Sequence, residues 1–112
     1  MTMPRLRRLL TLEARERAAD GSGGFRDMWG VKGTLWAEVT PRSGRARSGD
    51  AGPVTSVSYR IVVRSAAPTS PLRPREGQRY REGDRLFRIV AVTEHDHSER
   101  FLACFAEEER AI

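Results

Sequence analysis

The segment from residue 54 to residue 64 alternates apolar and polar side chains with a period of two residues, the pattern of a half-buried β-strand. One face of this strand would hold Val57, Tyr59, Ile61 and Val63, and the opposite face Ser58, Arg60 and Arg64. It is the clearest element in the chain, and it predicts a fold built on a sheet with one apolar face.

Shorter strand patterns lie on both sides of this segment, each bounded by turn residues. They cover residues 29–39, the two sides of a hairpin within residues 78–93, and residues 100–106. A chain of 112 residues fits one domain, and only 38% of its residues are hydrophobic, so its core is thin. The sequence therefore predicts a mostly β, single-domain antiparallel barrel or sandwich of five to six strands.

The first segment, residues 5–19, is compatible with either a helix or a strand. Leu6, Leu9, Leu10 and Ala14 recur at helical spacing, whereas residues 10–14 alternate as a strand would. The residues alone leave both open. The run from Asp20 to Gly24 then breaks the chain, and because no Lys-Ser/Thr pair follows it, we predict a flexible turn rather than a phosphate-binding loop.

A stretch with almost nothing to bury, Arg42 to Pro53, separates the second and third strand patterns. A loop of this length in a compact domain is usually functional or disordered. Arginines on a glycine-rich loop, here Arg42, Arg45 and Arg47, can contact DNA phosphates without reading the base sequence. The sequence thus predicts a long basic loop between the second and third strands.

The charge of +5 is unevenly distributed along the chain. Residues 42–88 hold eleven arginines against four acids, a net of +7, whereas residues 94–112 hold two arginines against six acids, a net of −4. A basic middle and an acidic end can direct nucleic acid to one surface and oppositely charged partners to another.

No motif for catalysis, metal binding or a cofactor is recognisable. Cys104 lies in an apolar run without a nearby base, which predicts a small buried hydrophobe. His95 and His97 flank Asp96 after Glu94, but they lie in a predicted turn that lacks a third ligand. We therefore predict no enzyme, no metal and no cofactor. No apolar run approaches the roughly 18 residues of a membrane span, and the first residues do not resemble a secretory signal.

Six landmarks follow one another in order. They are Leu6–Glu13, Gly23-Gly24 with Trp29, Trp36-Ala37-Glu38-Val39-Thr40-Pro41-Arg42-Ser43-Gly44-Arg45, Ser58–Arg64, Gly83–Val92 and Phe101–Cys104. This order resembles that of the phage head closure proteins, also called head–tail joining or stopper proteins, over about residues 5–106. The stretch from Trp36 to Arg45 is its most specific part.

The resemblance implies that the first segment is a strand and that residues 5–106 form a head-closure-like β domain. The residues themselves predict that 107–112 form an acidic C-terminal tail, which departs from the family's pattern. Members of the family form a ring beneath the portal and adaptor, retain packaged DNA and dock the tail. It implies these partners: further copies of the chain, the adaptor and portal side of the capsid, a tail terminator or tail tube protein, and double-stranded DNA bound non-specifically, with no membrane. The expected location is the neck of a virion or phage-like particle assembled in the bacterial cytoplasm.

The resemblance also assigns site residues. The family's channel-closing loop corresponds to Arg42–Pro53, with gate residues Arg42, Ser43, Gly44, Arg45, Arg47, Gly49, Asp50 and Gly52. The charge of the acidic end, and not the resemblance, predicts that Glu107, Glu108 and Glu109 meet a basic surface of an adaptor or tail protein.

Three other functions stay open at this point. The first is another neck component, an adaptor or a tail terminator, although adaptors of this kind are largely helical. The second is a small β-barrel module that binds nucleic acid, which would display aromatic rings for stacking. Here the aromatic residues fall at predicted core positions: Trp29, Trp36, Tyr59 and Phe87. The third is an enzyme that uses His95 and His97, which would carry bound metal.

Overall fold

The computed structural model describes residues 3–49, 52–96 and 99–109, with the backbone alone for residues 43–49 and 52–56. Its six strands are β1 (Arg8–Ala19), β2 (Phe25–Gly49), β3 (Gly52–Arg64), β4 (Arg79–Glu82), β5 (Arg85–Glu94) and β6 (Phe101–Glu109). All pairs are antiparallel, and the strands close into a barrel in the order β1-β2-β3-β6-β5-β4. The described residues contain no helix long and apolar enough to cross a membrane. The predicted mostly β, single-domain fold is confirmed.

The shortest strand, β4, closes the barrel. It pairs with β1 from Glu13 opposite Arg79 to Thr11 opposite Arg81, and with β5 on its other side. The turn between β4 and β5 contains Gly83 with φ of 58°, a left-handed conformation that glycine adopts without strain. This is the hairpin that the sequence predicted.

The core lies inside the barrel and is built from alternate residues of each strand. The clear pattern in β3 is confirmed, since Tyr59, Ile61 and Val63 all face this core. The other buried members of the cluster are Leu10, Leu12, Ala37, Tyr80, Phe87, Ile89, Leu102, Cys104 and Ala106. The alternation of Leu10 and Leu12 also shows why residues 8–19 form a strand and not a helix.

Two hairpins project from opposite ends of the barrel, because β2 is 25 residues long and only its middle belongs to the barrel wall. We call residues Ala14–Ala19 and Phe25–Val31 the β1–β2 arm, and residues Ser43–Gly49 and Gly52–Ser56 the β2–β3 arm. The radius of gyration is 15.6 Å, against about 13 Å for a compact chain of this length. The arms account for this difference.

The β2–β3 arm replaces the long loop that the sequence predicted. The β2–β3 ladder continues to Gly49 opposite Gly52, and Asp50 and Ala51 lie outside the described residues. A strand shows an apolar alternation only where one face is buried. This arm extends past the barrel, so its sequence carries no such alternation and resembles a loop.

Two further expectations were wrong. Glu107–Glu109 belong to β6 and do not form a tail; the remaining residues, 110–112, lie outside the described part of the chain. Trp36 is 55% exposed on the outer face of β2, opposite the exposed Leu9, and is not a core residue. Tyr59 and Phe87 do lie in the core, as predicted.

Candidate functional site

Most of the predicted gate residues lie together on the β2–β3 arm, whereas Asp50 lies outside the described residues. In its ladder Arg45 is opposite Ser56, Arg47 is opposite Val54, and Gly49 is opposite Gly52. Ser43 and Gly44 begin the arm at the barrel. Antiparallel pairing therefore places the arginine-rich segment at one end of the molecule on a paired backbone. A paired backbone holds its direction better than the free loop that we expected.

Arg42 is the exception among the predicted gate residues, because its side chain is held at the barrel. The register shifts between Pro41 and Ser43, so Arg42 is the extra residue of a β-bulge in β2. Its guanidinium carbon lies 4.8 Å from the ring centroid of Phe105 on β6, a cation–π contact. Arg42 thus marks the point where the arm leaves the barrel wall.

A charged network lies at the same rim. Arg85 Nε donates to Glu108 Oε2 at 2.8 Å, and Arg85 Nη2 donates to Glu108 Oε1 at 3.2 Å, a bidentate pair. The Tyr59 hydroxyl donates to Glu108 Oε1 at 3.1 Å and accepts a hydrogen bond from Arg85 Nη2 at 3.1 Å. Tyr59 lies opposite Pro41 in the ladder, so this network joins β3, β5 and β6 directly beneath the arm.

A second pair extends the network to β1. Arg8 Nε donates to Glu82 Oε2 at 2.9 Å, and Arg8 Nη2 lies 2.5 Å from Glu82 Oε1. Arg85 Nη1 approaches the same carboxylate at 3.9 Å. The hydrogen bond from Arg8 lowers the pKa of Glu82, and the same bond raises the pKa of Arg8. Ion pairs therefore link β1, β4, β5 and β6 at the rim from which the β2–β3 arm extends, and hydrogen bonds of the Tyr59 hydroxyl add β3.

The sequence did not predict these contacts, because a carboxylate among arginines was expected to be a solvated ion pair. Glu108 is instead only 6% exposed. One signal was present: Glu108 continues the alternate series of inward-facing β6 residues Leu102, Cys104 and Ala106. A charged residue at such a position needs a buried partner.

A second buried carboxylate, Glu13, lies where β4 meets β1. Arg79 Nε donates to its Oε1 at 2.6 Å, and Arg81 Nε donates to its Oε2 at 3.0 Å. Burial alone would raise the pKa of Glu13, but the hydrogen bonds from Arg81 and Arg79 outweigh it, so the pKa is lowered. Arg79 also stacks 4.0 Å from the ring centroid of Trp29, which is half-buried.

The candidate chemical groups form no reactive cluster. Arg60 Nη2 lies 2.8 Å from His95 Nδ1 and also donates to the His95 carbonyl, while His97 lies outside the described residues. Cys104 is buried against the Tyr80 hydroxyl, and burial raises the pKa of its thiol to about 11. Among residues 3–49, 52–96 and 99–109, no three metal-ligating side chains lie together.

The three glutamates that were predicted to contact a partner lie in two different environments. Glu108 is enclosed in the rim network and is not available to a partner. Glu107 and Glu109 point to the outer surface, where both pair with Arg88, at 3.2 and 3.1 Å. Of the three acids, Glu109 is the most exposed.

A family model described as phage head completion protein matches residues 1–109. The chain belongs to this family. The head completion protein is also similar to a chain from the virion of a native gene transfer agent particle, with 51% identity and a TM-score of 0.84 over 97% of this chain and 100% of that one. Its fold is shared by protein SF1141 from Shigella flexneri 2a, with 23% identity and a TM-score of 0.66 over 96% of each chain. No match was found among curated protein sequences.

Membership of the family confirms the resemblance seen in the order of the sequence landmarks. The head completion proteins are a structural family and not a class of enzymes.

Proposed function

We propose that this head completion protein is a head closure, or stopper, subunit. Copies of it form a ring below the portal and adaptor, retain packaged DNA, and dock a tail terminator or tail tube protein. The particle is a virion or a gene-transfer particle assembled in the bacterial cytoplasm, and the similarity to a chain of a gene transfer agent virion supports this.

The observation that carries the proposal is the β2–β3 arm. It extends an arginine-rich hairpin beyond the barrel, with Arg45 and Arg47 in paired strands. One arm is too small to close a channel as wide as DNA, but a cyclic ring brings one arm from each subunit towards its axis. The arginines would then contact DNA phosphates without regard to sequence. The network at the rim supports this role, because the Tyr59 hydroxyl joins β3, one of the two strands from which the arm extends, to Glu108 and Arg85 on β6 and β5.

Two features bear on the alternatives. The described residues contain no helix, which disfavours a largely helical adaptor. The exposed Trp36 is a feature expected of a nucleic-acid-binding module, but its neighbour across the ladder is the exposed Leu9. Such an apolar pair suits a protein contact better than a nucleic acid backbone. A tail terminator remains the alternative within the neck.

The test is to replace Arg45 and Arg47 with serine and to measure nuclease-protected DNA per particle during packaging and after purification. We expect particles that package DNA normally and then lose it, because the phosphate contacts are removed. The matched control replaces the exposed Arg5 and Arg7, which lie outside the arm, and should retain DNA. If the arm variant retains DNA and attaches tails as the wild type does, the arm is not the gate.

A further inference from the structure

The β1–β2 arm, at the other end of the barrel, exposes apolar side chains that nothing in the described part of the chain covers. Phe25 and Val31 are each 64% exposed, and Met28 is 44% exposed. Beyond Glu13, the two strands of this arm pair only with each other among the described residues. A two-stranded hairpin alone in water is marginally stable. We therefore expect a partner to cover the arm.

The arm also carries arginines that lack an acidic partner. Arg17 stacks 4.6 Å from the Phe25 ring centroid, and Arg15 stacks 5.3 Å from that of Trp29. Neither forms an ion pair with another described residue, although Asp27 lies opposite Arg17 in the ladder. A guanidinium stacked on a ring keeps its N–H donors at its edge, free for a carboxylate or phosphate. Double-stranded DNA would satisfy the arginines but would leave Phe25 and Val31 uncovered, so a protein with acidic and apolar groups fits better.

The chain itself carries a surface of this chemistry, which we call the acidic cleft. Its volume is about 490 Å³, and its lining includes Pro68, Glu94, Glu99, Phe101 and Leu102. Neither glutamate forms an ion pair with another described residue. The one arginine of the lining, Arg73, donates to the carbonyl of Ala66 at 2.8 Å. Phe101 and Leu102 are each only 4% exposed and form the floor of the cleft, so its accessible apolar surface comes from Ala67 and Pro68. The cleft therefore offers two carboxylates without an ion pair among the described residues, beside a small apolar wall.

The positions of the arm and the cleft are those that a ring requires. In the barrel order β1-β2-β3-β6-β5-β4, strands β5 and β6 lie across the barrel from β2 and β1. The registers place the cleft at the same end as the arm: Arg64 at the end of β3 is opposite Phe101, and Glu94 at the end of β5 is opposite Leu102. Two complementary surfaces on opposite sides of one subunit produce a head-to-tail contact, which closes into a ring when the rotation allows.

We propose that the β1–β2 arm of one copy docks in the acidic cleft of the next copy, with Phe25 against the apolar wall and Arg17 beside Glu94 and Glu99. The existence of a ring rests on the proposed function. The contact described here adds which two surfaces of neighbouring subunits meet in that ring. It places the contact at the end of the barrel opposite the DNA-facing arm.

The test uses two surface variants of the full chain and measures mass in solution by light scattering. The arm variant carries Arg17→Ser and Phe25→Ser, and the cleft variant carries Glu94→Arg and Glu99→Arg, so the altered arm has no charge that could pair with the altered cleft. We expect each variant alone to remain monomeric, with association weakened about tenfold or more. Mixed together they should form dimers and no ring, because one intact arm meets one intact cleft. The matched controls, Arg7→Glu and Glu76→Arg, are exposed and outside both surfaces, and should assemble as the wild type does.

Circular dichroism of each variant establishes that the barrel is folded before assembly is scored. A wild-type ring that persists in both variants would refute the contact and leave the proposed function standing. Variants that fail to assemble alone but give no dimer on mixing would also refute it. A wild-type chain that remains monomeric even when bound to its adaptor would instead refute the ring itself. Retention of short duplex DNA by the arm, lost in the arm variant, would assign this surface to nucleic acid.

Discussion

At the scale of the residue, two carboxylates link neighbouring strands of the barrel. Glu13 and Glu108 are both nearly buried, and each accepts hydrogen bonds from arginines on neighbouring strands. A buried carboxylate is costly unless it is paired and its oxygens are bonded, and both conditions hold here. No described buried side-chain nitrogen or oxygen lacks a hydrogen-bond partner.

The replacement Glu108→Ala should lower the free energy of unfolding by about 2–3 kcal/mol, because Arg85 and Tyr59 lose their acceptor beneath the β2–β3 arm. Urea denaturation monitored by circular dichroism measures the change. Glu109→Ala on the same strand is the control, since Glu109 and Arg88 form an exposed pair and should contribute less than about 1 kcal/mol. Equal losses for the two variants would show that the rim network adds no stability.

At the scale of the element, β4 is the strand most dependent on ionic contacts. It has only four residues, yet it closes the barrel. Three of its side chains, those of Arg79, Arg81 and Glu82, are linked to β1 by ion pairs with Glu13 and Arg8. Backbone bonds of so short a strand are few, so these pairs help to hold the barrel closed.

Stability should therefore fall in acid. The pKa of Glu82 is lowered by its hydrogen bond to Arg8, and that of Glu13 is lowered because its bonds to Arg81 and Arg79 outweigh burial. A carboxyl whose pKa is lowered on folding contributes its full stability above its ordinary value of 4.5. That contribution is lost as the pH falls from there through the pKa of the folded state.

Thermal unfolding measured from about pH 7 to pH 3 tests this expectation. We expect a nearly constant Tm down to about pH 5 and a steep fall below 4.5. The variant Glu13→Gln should have a lower Tm at neutral pH and a smaller fall in acid, whereas the exposed Glu76→Gln should follow the wild type. A Glu13→Gln curve parallel to that of the wild type would contradict the role of this pair.

At the scale of the whole molecule, the protein is a closed barrel with two arms that share β2. The main core cluster lies inside the barrel, and a smaller cluster of Val62, Phe101 and Ala103 lies on the opposite face of β3 and β6. The molecule measures 53 × 38 × 22 Å. This division lets one end serve contact with DNA and the other serve contact with a neighbouring subunit, as we propose, while the barrel maintains the fold.

Replacing residues 45–56 with an Asn-Gly turn should leave the barrel folded. Gly44 lies opposite Val57, so the shortened hairpin closes in register, and Asn-Gly is a favoured two-residue turn. We expect cooperative urea unfolding with a free energy within about 1 kcal/mol of the wild type, because the barrel-core residues that the structure describes all lie outside the removed segment. Particles that carry the shortened chain should assemble and lose their DNA; loss of folding would show instead that the arm supports the barrel.

The sequence by itself determined the β class, most of the strand positions and the family. Residues 57–63 alternate because one face packs in the barrel, and Glu82-Gly83-Asp84 forms a turn because glycine accepts a left-handed backbone. These signals are local, so a sequence can carry them. The order of the landmarks from Leu6 to Cys104 was sufficient to predict the family that the comparison then showed.

Only the tertiary structure decided the strand character of the β2–β3 arm and the partners of the buried acids. The segment after Arg42 has no apolar period that would mark it as a strand, and its pairing continues the β2–β3 register that begins in the barrel wall. Glu108 lies 23 residues from Arg85 and 49 residues from Tyr59 along the chain, and nothing in the sequence near Glu108 indicates that these residues are its partners. The alternation in the strand at residues 54–64 predicted which residues form the core. The charged network at the rim of the barrel instead depends on contacts between strands that are far apart in sequence.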